Sequence, residues 1–324
     1  MGLPSASRIM GLPSASRTIP LIILGGSDLT PAALPPQGRD LHPLSGCKGI
    51  DVRLDGRCLI EHLIDRLRES GAFGPVWVAG PAAAYRRAAA SIEVIDTDRG
   101  FGENIRVGLE TVVQSCPQSV VAFTTCDILP EPAELERVLE DYHRGAPCDL
   151  WFPLILTDEG EALGASEWKP RYRILPAPGE PAAVVLPGHL AIVDPASLRL
   201  SMLYRLFDLG YRTRNRPIRY RRSYMLRHVL WTLLRQDFLH LLALRLPTVT
   251  WDCVRSGLAA AAGLRRGAIT REELEGHMRR VFVTRSHRLR HPERRVRMPF
   301  LRAMSLARDI DTVEEARALG ATFG

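Results

Sequence analysis

The run IPLIIL at Ile19–Leu24, closed by Gly25 and Gly26, decides the fold. Six residues without a charged or polar interruption fit a strand buried on both faces, as in a parallel sheet, and the glycines fit a tight loop at its end. A first strand running into glycine is where α/β proteins place ligands. Residues 27–56 are rich in Pro, Gly and Asp and read as a long loop. Residues 58–70 then carry Leu59, Ile60, Leu63, Ile64 and Leu67 at helical spacing, stopped by Gly71. The runs PVWVA at 75–79 and IEVI at 92–95 are predicted strands flanking a helix over 82–90, which is βαβ rhythm.

Further on, residues 104–113 have a helical pattern. The β-rich run SVVAFTT at 119–125 leads straight into Cys126 and Asp127, which sets a carboxylate at a strand's carboxyl end. Residues 135–143 are amphipathic and 150–156 read as one strand, with extended pieces at 171–175 and 183–193 around Pro187, Gly188 and His189. After Pro195 the pattern turns helical to about His277, with Leu203, Leu206 and Phe207, then Val229, Leu230, Leu233, Leu234 and Phe238, recurring every three or four residues. Thr270 with Glu273 makes a capping box there, and Thr312 with Glu315 starts a terminal helix after Asp309, Ile310 and Asp311. Short β-rich pieces are expected at 281–284. The expected organisation is a disordered leader over 1–18, an α/β core over 19–194, a basic helical insertion over 195–277, and a return to the core over 278–324. The leader repeats MGLPSASR at 1–8 and 10–17, which makes Met10 an alternative start.

With 46% hydrophobic and 24% charged residues in 324, the chain is neither disordered nor collagen-like. The longest apolar candidate for a membrane span, 224–246, is interrupted by Arg227, Arg235, Asp237 and Arg245. Six cysteines without a CxxC pair fit reduced thiols in a cytoplasm and offer no zinc-site spacing. Between residues 199 and 302 there are 24 arginines and 7 acids, a net of +17, so in a chain of +7 the remainder carries −10. Only two of the 43 basic residues are lysines, Lys48 and Lys169, and a compact ammonium is not interchangeable with a guanidinium.

The ordered set Gly25, Gly26, Lys48, Asn104, Asp127 and Asp311 makes chemical sense if a nucleoside triphosphate lies over the strand ends. Glycines admit backbone N–H groups to the nucleotide, a lysine neutralises phosphate, and two carboxylates hold one magnesium ion, which favours oxygen ligands and keeps several waters. Taken one at a time these residues have plain structural readings: a turn at the glycines, a helix cap at Asn104 or Asp127.

As an ordered set of blocks, the chain resembles nucleotidyltransferases similar to molybdenum-cofactor cytidylyltransferases. The blocks are LIILGG at 21–26, HPLSGCK at 42–48, LDGRCLIEH at 54–62, TTCDILP at 124–130 and DIDT at 309–312. The resemblance implies a glycosyltransferase-A-like, Rossmann-like three-layer sandwich with a mixed, mostly parallel sheet. It implies transfer of a nucleoside monophosphate from a triphosphate to a phosphorylated or hydroxylated small molecule, with release of pyrophosphate and dependence on Mg2+. It makes Lys48 the loop lysine on phosphate, Asp127 and Asp311 the metal carboxylates, and Leu24, Gly25, Gly26 and Asn104 the nucleotide contacts. WKPRY at 168–172 and PGHLAIVD at 187–194 further resemble a subset in which Lys169 and His189 face the acceptor or the phosphates, His189 standing where that subset has asparagine. The family's glycine-rich phosphate loop is missing. A proline-interrupted stretch replaces it, which implies weakened or lost triphosphate binding.

Rival readings remain open at this point. Ser45 and Lys48 fit SxxK, though that motif's partners are absent. His287 and His291 are spaced for a metal on a helix, yet the arginines around them favour a solvated basic stretch. The arginines at 212–222, interleaved with Tyr211 and Tyr220, could make a binding module for nucleic acid or an anionic membrane, but no nucleic-acid motif accompanies them, and the acidic remainder offers a simpler reading in which the helical part packs against the core and closes over phosphate-rich ligands. A catalytically degenerate relative, or a glycosyltransferase of the same fold class, completes the alternatives; the single acid in Cys126, Asp127, Ile128 favours nucleotidyl over sugar transfer.

Overall fold

The computed structural model describes residues 18–28, 30, 41–88, 92–117, 120–145, 147–158, 171–242, 244 and 249–322. Residues 1–17 of the expected leader and Lys169 therefore lie outside the described residues. The first strand, β1 (Ile19–Leu24), is buried at every position, as an uninterrupted apolar run requires. A single helical turn, α1 (Lys48–Asp51), and a small hairpin, β2 (Arg53–Leu54) and β3 (Arg57–Cys58), lead to α2 (Leu59–Glu69). The βαβ rhythm follows as β4 (Phe73–Gly80), α3 (Ala82–Ala88), β5 (Glu93–Asp96), α4 (Phe101–Ser115), β6 (Val121–Thr125) and α5 (Pro132–Gly145).

Strand β1 pairs in parallel with β4 on one side and β6 on the other, and β5 extends the β4 edge in parallel. The chain therefore builds outward from β1 through β4 and β5, then returns through α4 to place β6 on the opposite side. That reversal opens a crevice at the carboxyl ends of β1 and β6, the switch point at which such sheets bind ligands. Side chains alternate between faces. Leu21 and Ile23 join α2 and α5 in one core, while Ile22 and Leu24 pack with α4 in another, giving three layers.

The expected strand at 150–156 is two, β7 (Leu150–Trp151) and β8 (Leu154–Leu156), separated by Phe152 and Pro153. Proline brings no N–H to a ladder, and here it is where the chain leaves one sheet for another. After β9 (Tyr172–Ile174), the same crossing recurs between β10 (Ala183–Pro187) and β11 (Leu190–Val193), at Gly188 and His189. The seven-stranded sheet runs β5, β4, β1, β6, β11, β7 and a short β12 (Val296–Arg297), with β11 antiparallel to its neighbours. A four-stranded sheet contains β9, β10, β8 and β13 (Phe300–Leu301). Gly188 donates to the Pro153 carbonyl and Leu154 to that of Pro299, so the two sheets are stitched at the bend.

The helices after Pro195 are α6 (Leu200–Arg212), α7 (Ile218–Leu242), α8 (Val249–Arg266) and α9 (Arg271–Phe282). The last starts at the expected Thr270–Glu273 capping box but continues past His277 over the segment read as β-rich; only an isolated bridge joins Val283 to Leu198. Helix propensity in 279–282 is sustained because α9 packs on the small sheet, with Leu274, Met278 and Phe282 in a core shared with Leu154, Ile174 and Val185. A short α10 (Arg285–Arg290) and a 3₁₀ turn (Met304–Leu306) precede α11 (Val313–Gly320), which begins at the second capping box. Among the described residues no helix is long and apolar enough to cross a membrane. Along α7, Leu230, Trp231, Leu234, Phe238, Leu239, Leu241 and Leu242 are exposed.

The stretch read as solvated and basic is partly internal. Asp149, fully buried, accepts from Arg279 Nε at 3.1 Å and Arg294 Nε at 2.9 Å, and lies 3.0 Å from His287 Nε2. Arginines 130 and 145 positions apart from their partner acid cannot be assigned a partner by local spacing, and this cluster fixes α9 and α10 against the edge of the main sheet.

Candidate active site

Three segments meet at the ends of β1 and β6. The turn after β6 carries Asp127, whose backbone carbonyl accepts from Ile310 N at 2.7 Å, so the 309–312 block is fastened to it directly. In an extended segment alternate residues share a face, and Asp309 and Asp311 accordingly both turn towards Asp127. Oxygens of the three carboxylates lie within 4.8 Å of one another. The block is held from behind as well: Glu315 Oε2 accepts from the backbone N–H of Asp311 at 3.0 Å, Leu44 donates to the Asp311 carbonyl, and Pro43 forms a bridge with Thr312. The capping box of α11 thus also sets the position of Asp311.

Lys48, at the start of α1, donates to Asp127 Oδ2 at 3.3 Å and to Asp311 Oδ1. Burial alone would lower its basicity, but the two carboxylates outweigh burial and keep the ammonium charged well above the ordinary lysine range. A base that activates a serine must be able to lose its proton, so this environment argues against the SxxK reading. Burial, reinforced by Asp309, pushes the Asp311 carboxyl up to about 6, against the opposing pull of Lys48. Asp127 Oδ1 and Asp311 Oδ2 are buried and take no hydrogen bond from the protein. Buried carboxylate oxygens normally have a partner, and two left open beside a third acid form an all-oxygen donor set suited to a hard cation such as magnesium.

Above the carboxylates opens a cleft of about 640 Å³, lined by Leu24, Gly26, Lys48, Asn104, Thr125 and Asp127 among others. Four of the expected nucleotide contacts, Leu24, Gly26, Lys48 and Asn104, are brought together there. Asn104 is neither on the surface nor at the helix cap, which is Gly100; it is buried, and its Oδ1 accepts from Thr97 Oγ1 at 2.8 Å. A Cβ on Gly26 would stand 2.5 Å from Asn104 Nδ2, so glycine is needed for that approach.

Gly25 has a different task from the one expected of it. It faces away from the cleft, and a Cβ there would lie 2.3 Å from the Tyr85 oxygen and 2.8 Å from Val78 Cγ1. Gly25→Ala is therefore expected to destabilise the fold by about 1–3 kcal/mol through overpacking. Equilibrium denaturation checks this, and Tyr85→Phe in the same background should recover part of the loss.

His189 sits at the bend between the two sheets. Its backbone N–H donates to Leu306 at 2.7 Å, its Nδ1 is 3.0 Å from Thr125 Oγ1, and its Nε2 is 4.0 Å from Asp309 Oδ2. Asp309, quoted in the sequence block but not singled out, is the residue the sequence reading missed; its signal was the alternation Asp309, Ile310, Asp311. Arg212, Arg214 and Arg216 line the cleft, where Arg214 pairs with Asp28 and lies over the Tyr211 ring at 4.1 Å. Asp28 in turn bridges to Gly46 just before Lys48, so the end of α6 is tied to the loop after β1.

Comparison with known proteins bears on the fold and the domain. The family model of the MobA-like NTP transferase domain matches residues 46–196. A hypothetical transferase from Thermus thermophilus is similar in fold over 92% of this chain and 99% of its own, with 16% identity and a TM-score of 0.55. A CMP:2-keto-3-deoxy-manno-octonic acid synthetase complexed with CTP matches over 66% of this chain and 85% of its own, with 14% identity and a TM-score of 0.42. A search of curated proteins finds no match. The resemblance to nucleotidyltransferases read from the ordered blocks holds, as does the mixed, mostly parallel Rossmann-like α/β fold. Residues 46–196 thus match an NTP transferase domain, which supports an enzyme of nucleotidyltransferase type.

Proposed function

We propose that the chain transfers a nucleoside monophosphate from a nucleoside triphosphate to a phosphorylated or hydroxylated small molecule, releasing pyrophosphate, with Mg2+ as its metal. The observation that carries this reading is the cluster of Lys48 with Asp127, Asp309 and Asp311 at the switch point of the sheet, with open carboxylate oxygens under a cleft of nucleotide size. Asp127 and Asp311, joined by Asp309, would hold the ion. When bound it would neutralise phosphate charge and so favour departure of pyrophosphate.

The protein's own contribution is orientation and charge. Leu24, Gly26 and Asn104 seat the nucleoside. Lys48, in the lining of the cleft beside the carboxylates, would present its ammonium to the phosphates and stabilise charge as it develops there. Arg99, Arg212, Arg214 and Arg216 supply the positive wall that a glycine-rich loop provides in the family this chain resembles. His189, between Thr125 and Asp309, holds the acceptor, with Lys169 assigned to the same side by resemblance. In-line positioning of the acceptor oxygen then accounts for much of the acceleration. The six free thiols suit a cytoplasmic enzyme.

Calorimetric titration with the four ribonucleoside triphosphates, with and without magnesium, tests the reading. One triphosphate should bind selectively and only with the metal; absence of binding by all four would remove the proposal. Lys48→Ala should weaken that binding by about 10- to 100-fold, the equivalent of one charge-assisted contact. An unchanged dissociation constant would count against its place on the phosphates.

A further inference from the structure

A second cavity, of about 490 Å³, adjoins the nucleotide cleft. Its floor is the face of the main sheet that bears Phe123 of β6 and Ala191 of β11, which are paired across the ladder. Its roof is α6, through Leu203 and Phe207, and Phe282 of α9 stands at its inner side. Leu24, Phe101 and Thr125 line both spaces, so the cavity opens into the cleft. His189 lies on its wall at the end nearest the carboxylates. The walls are otherwise almost entirely carbon. Burial pushes the phenol of Tyr204, another wall residue, up to about 12, in keeping with a dry interior.

The two spaces therefore differ in chemistry. The cleft is charged and suits a triphosphate. The cavity lies within the roughly 300–1,000 Å³ usual for small-molecule sites and has polar groups at one end only. A sugar placed there would bury hydroxyls against walls without partners for them, which is costly, whereas an aliphatic chain or a carbon ring gains from the same walls.

We propose that this cavity takes the apolar body of the acceptor, and that the acceptor is an amphiphilic phosphate monoester whose head lies at His189 beside the carboxylates. This rests on the nucleotidyl-transfer reading above. An oxygen of the acceptor phosphate forms a bond to the α-phosphorus as the bond from that phosphorus to its bridging oxygen breaks, and pyrophosphate departs with the electron pair. The nucleophile is already an anion, so no proton has to be removed. The product is the amphiphile joined to the nucleotide through a pyrophosphate link.

The test titrates the full chain with ethyl, hexyl and dodecyl phosphate below their micellar concentrations, in parallel with the triphosphate titration. Affinity should rise at least tenfold from ethyl to dodecyl phosphate. Ala191→Phe and Leu203→Trp, which fill the cavity from floor and roof, should each abolish that rise while leaving triphosphate affinity unchanged, the latter also reporting an intact fold. A flat series in the unaltered protein, or an undiminished rise in both variants, would overturn the proposal. Vesicles of phosphatidylcholine containing phosphatidic acid distinguish the source of the molecule. Binding that both variants abolish indicates a bilayer lipid, and binding to the soluble esters alone indicates a dissolved amphiphile. Vesicle binding that the variants leave intact, together with a flat ester series, indicates adsorption to the arginine surface and overturns the use of the cavity. The two readings fail separately: triphosphate binding with a flat ester series removes only the amphiphile, and a chain-length effect without triphosphate binding keeps the apolar site but removes the transferase.

Discussion

Asp127→Ala is expected to abolish magnesium-dependent triphosphate turnover, a loss on the order of 10³-fold, while the protein stays folded. Its Oδ1 is buried and takes no hydrogen bond from the protein, so no structural partner is stranded when the side chain is cut back. Its Oδ2 helps hold Lys48, but Asp311 retains that ammonium in the variant. Its backbone carbonyl still accepts from Ile310, which leaves the 309–312 block in place. The loss should therefore appear in pyrophosphate release and in magnesium dependence rather than in a thermal melt. Activity equal to that of the unaltered protein would take Asp127 out of the metal site. Asp127→Asn, which keeps the shape and removes the charge, should be nearly as damaging because a neutral amide is a poorer ligand for a hard cation.

The second large effect concerns stability. Asp149→Ala should cost about 3–5 kcal/mol, the usual penalty for removing one member of a buried charge cluster. Arg279 and Arg294 both aim guanidinium nitrogens at this carboxylate, and the Asp149 side chain has no exposure to water. Arg294 keeps Asp194 at 2.7 Å and the Cys148 carbonyl, and Arg279 keeps the His291 carbonyl, so the variant should still fold. Denaturant titration checks the size of the effect, and a change below about 1 kcal/mol would show that the cluster contributes little beyond its packing. Asp149→Asn should fall between the two.

How far the sequence foretold this depends on the range over which its signals act. The strand at 19–24, the helices at 59–69 and 101–115 and both capping boxes were legible because each is declared by neighbours within a turn or two. Lys48, Asp127 and Asp311 were legible as an ordered set, and they meet. The break at Pro153 was overlooked because the apolar pattern continues on both sides of it, although the missing N–H was there to be read. Asp309 escaped notice because the resemblance assigns only Asp311 of that block to the metal, although the alternation Asp309, Ile310, Asp311 sets both carboxylates on one face. The internal role of Asp149 is a tertiary fact: charge composition marks a basic region but not the acid it faces, although the opposite charges of the two parts did point the arginines of the insertion towards the core, where Arg212, Arg214 and Arg216 line the cleft. Gly25 shows the converse, a glycine in the expected motif whose requirement arises from Tyr85 beneath it.

The pairing of Lys48 with Asp311 spans 263 positions, and this bears on the order in which the enzyme becomes competent as it is made. On a ribosome, β1, β4, β5 and β6 emerge early and contain most of the contacts needed to assemble their sheet. The ammonium of Lys48 and the carboxylate of Asp127 are then already side by side, but the block that carries Asp309 and Asp311 has not been synthesised. The unfinished protein would have the proposed nucleotide cleft without its full set of anions. On the proposed reading, turnover would begin only once the last helix has locked that block in place, so a truncated or stalled chain would be silent and the carboxyl-terminal segment would act as a check on completeness.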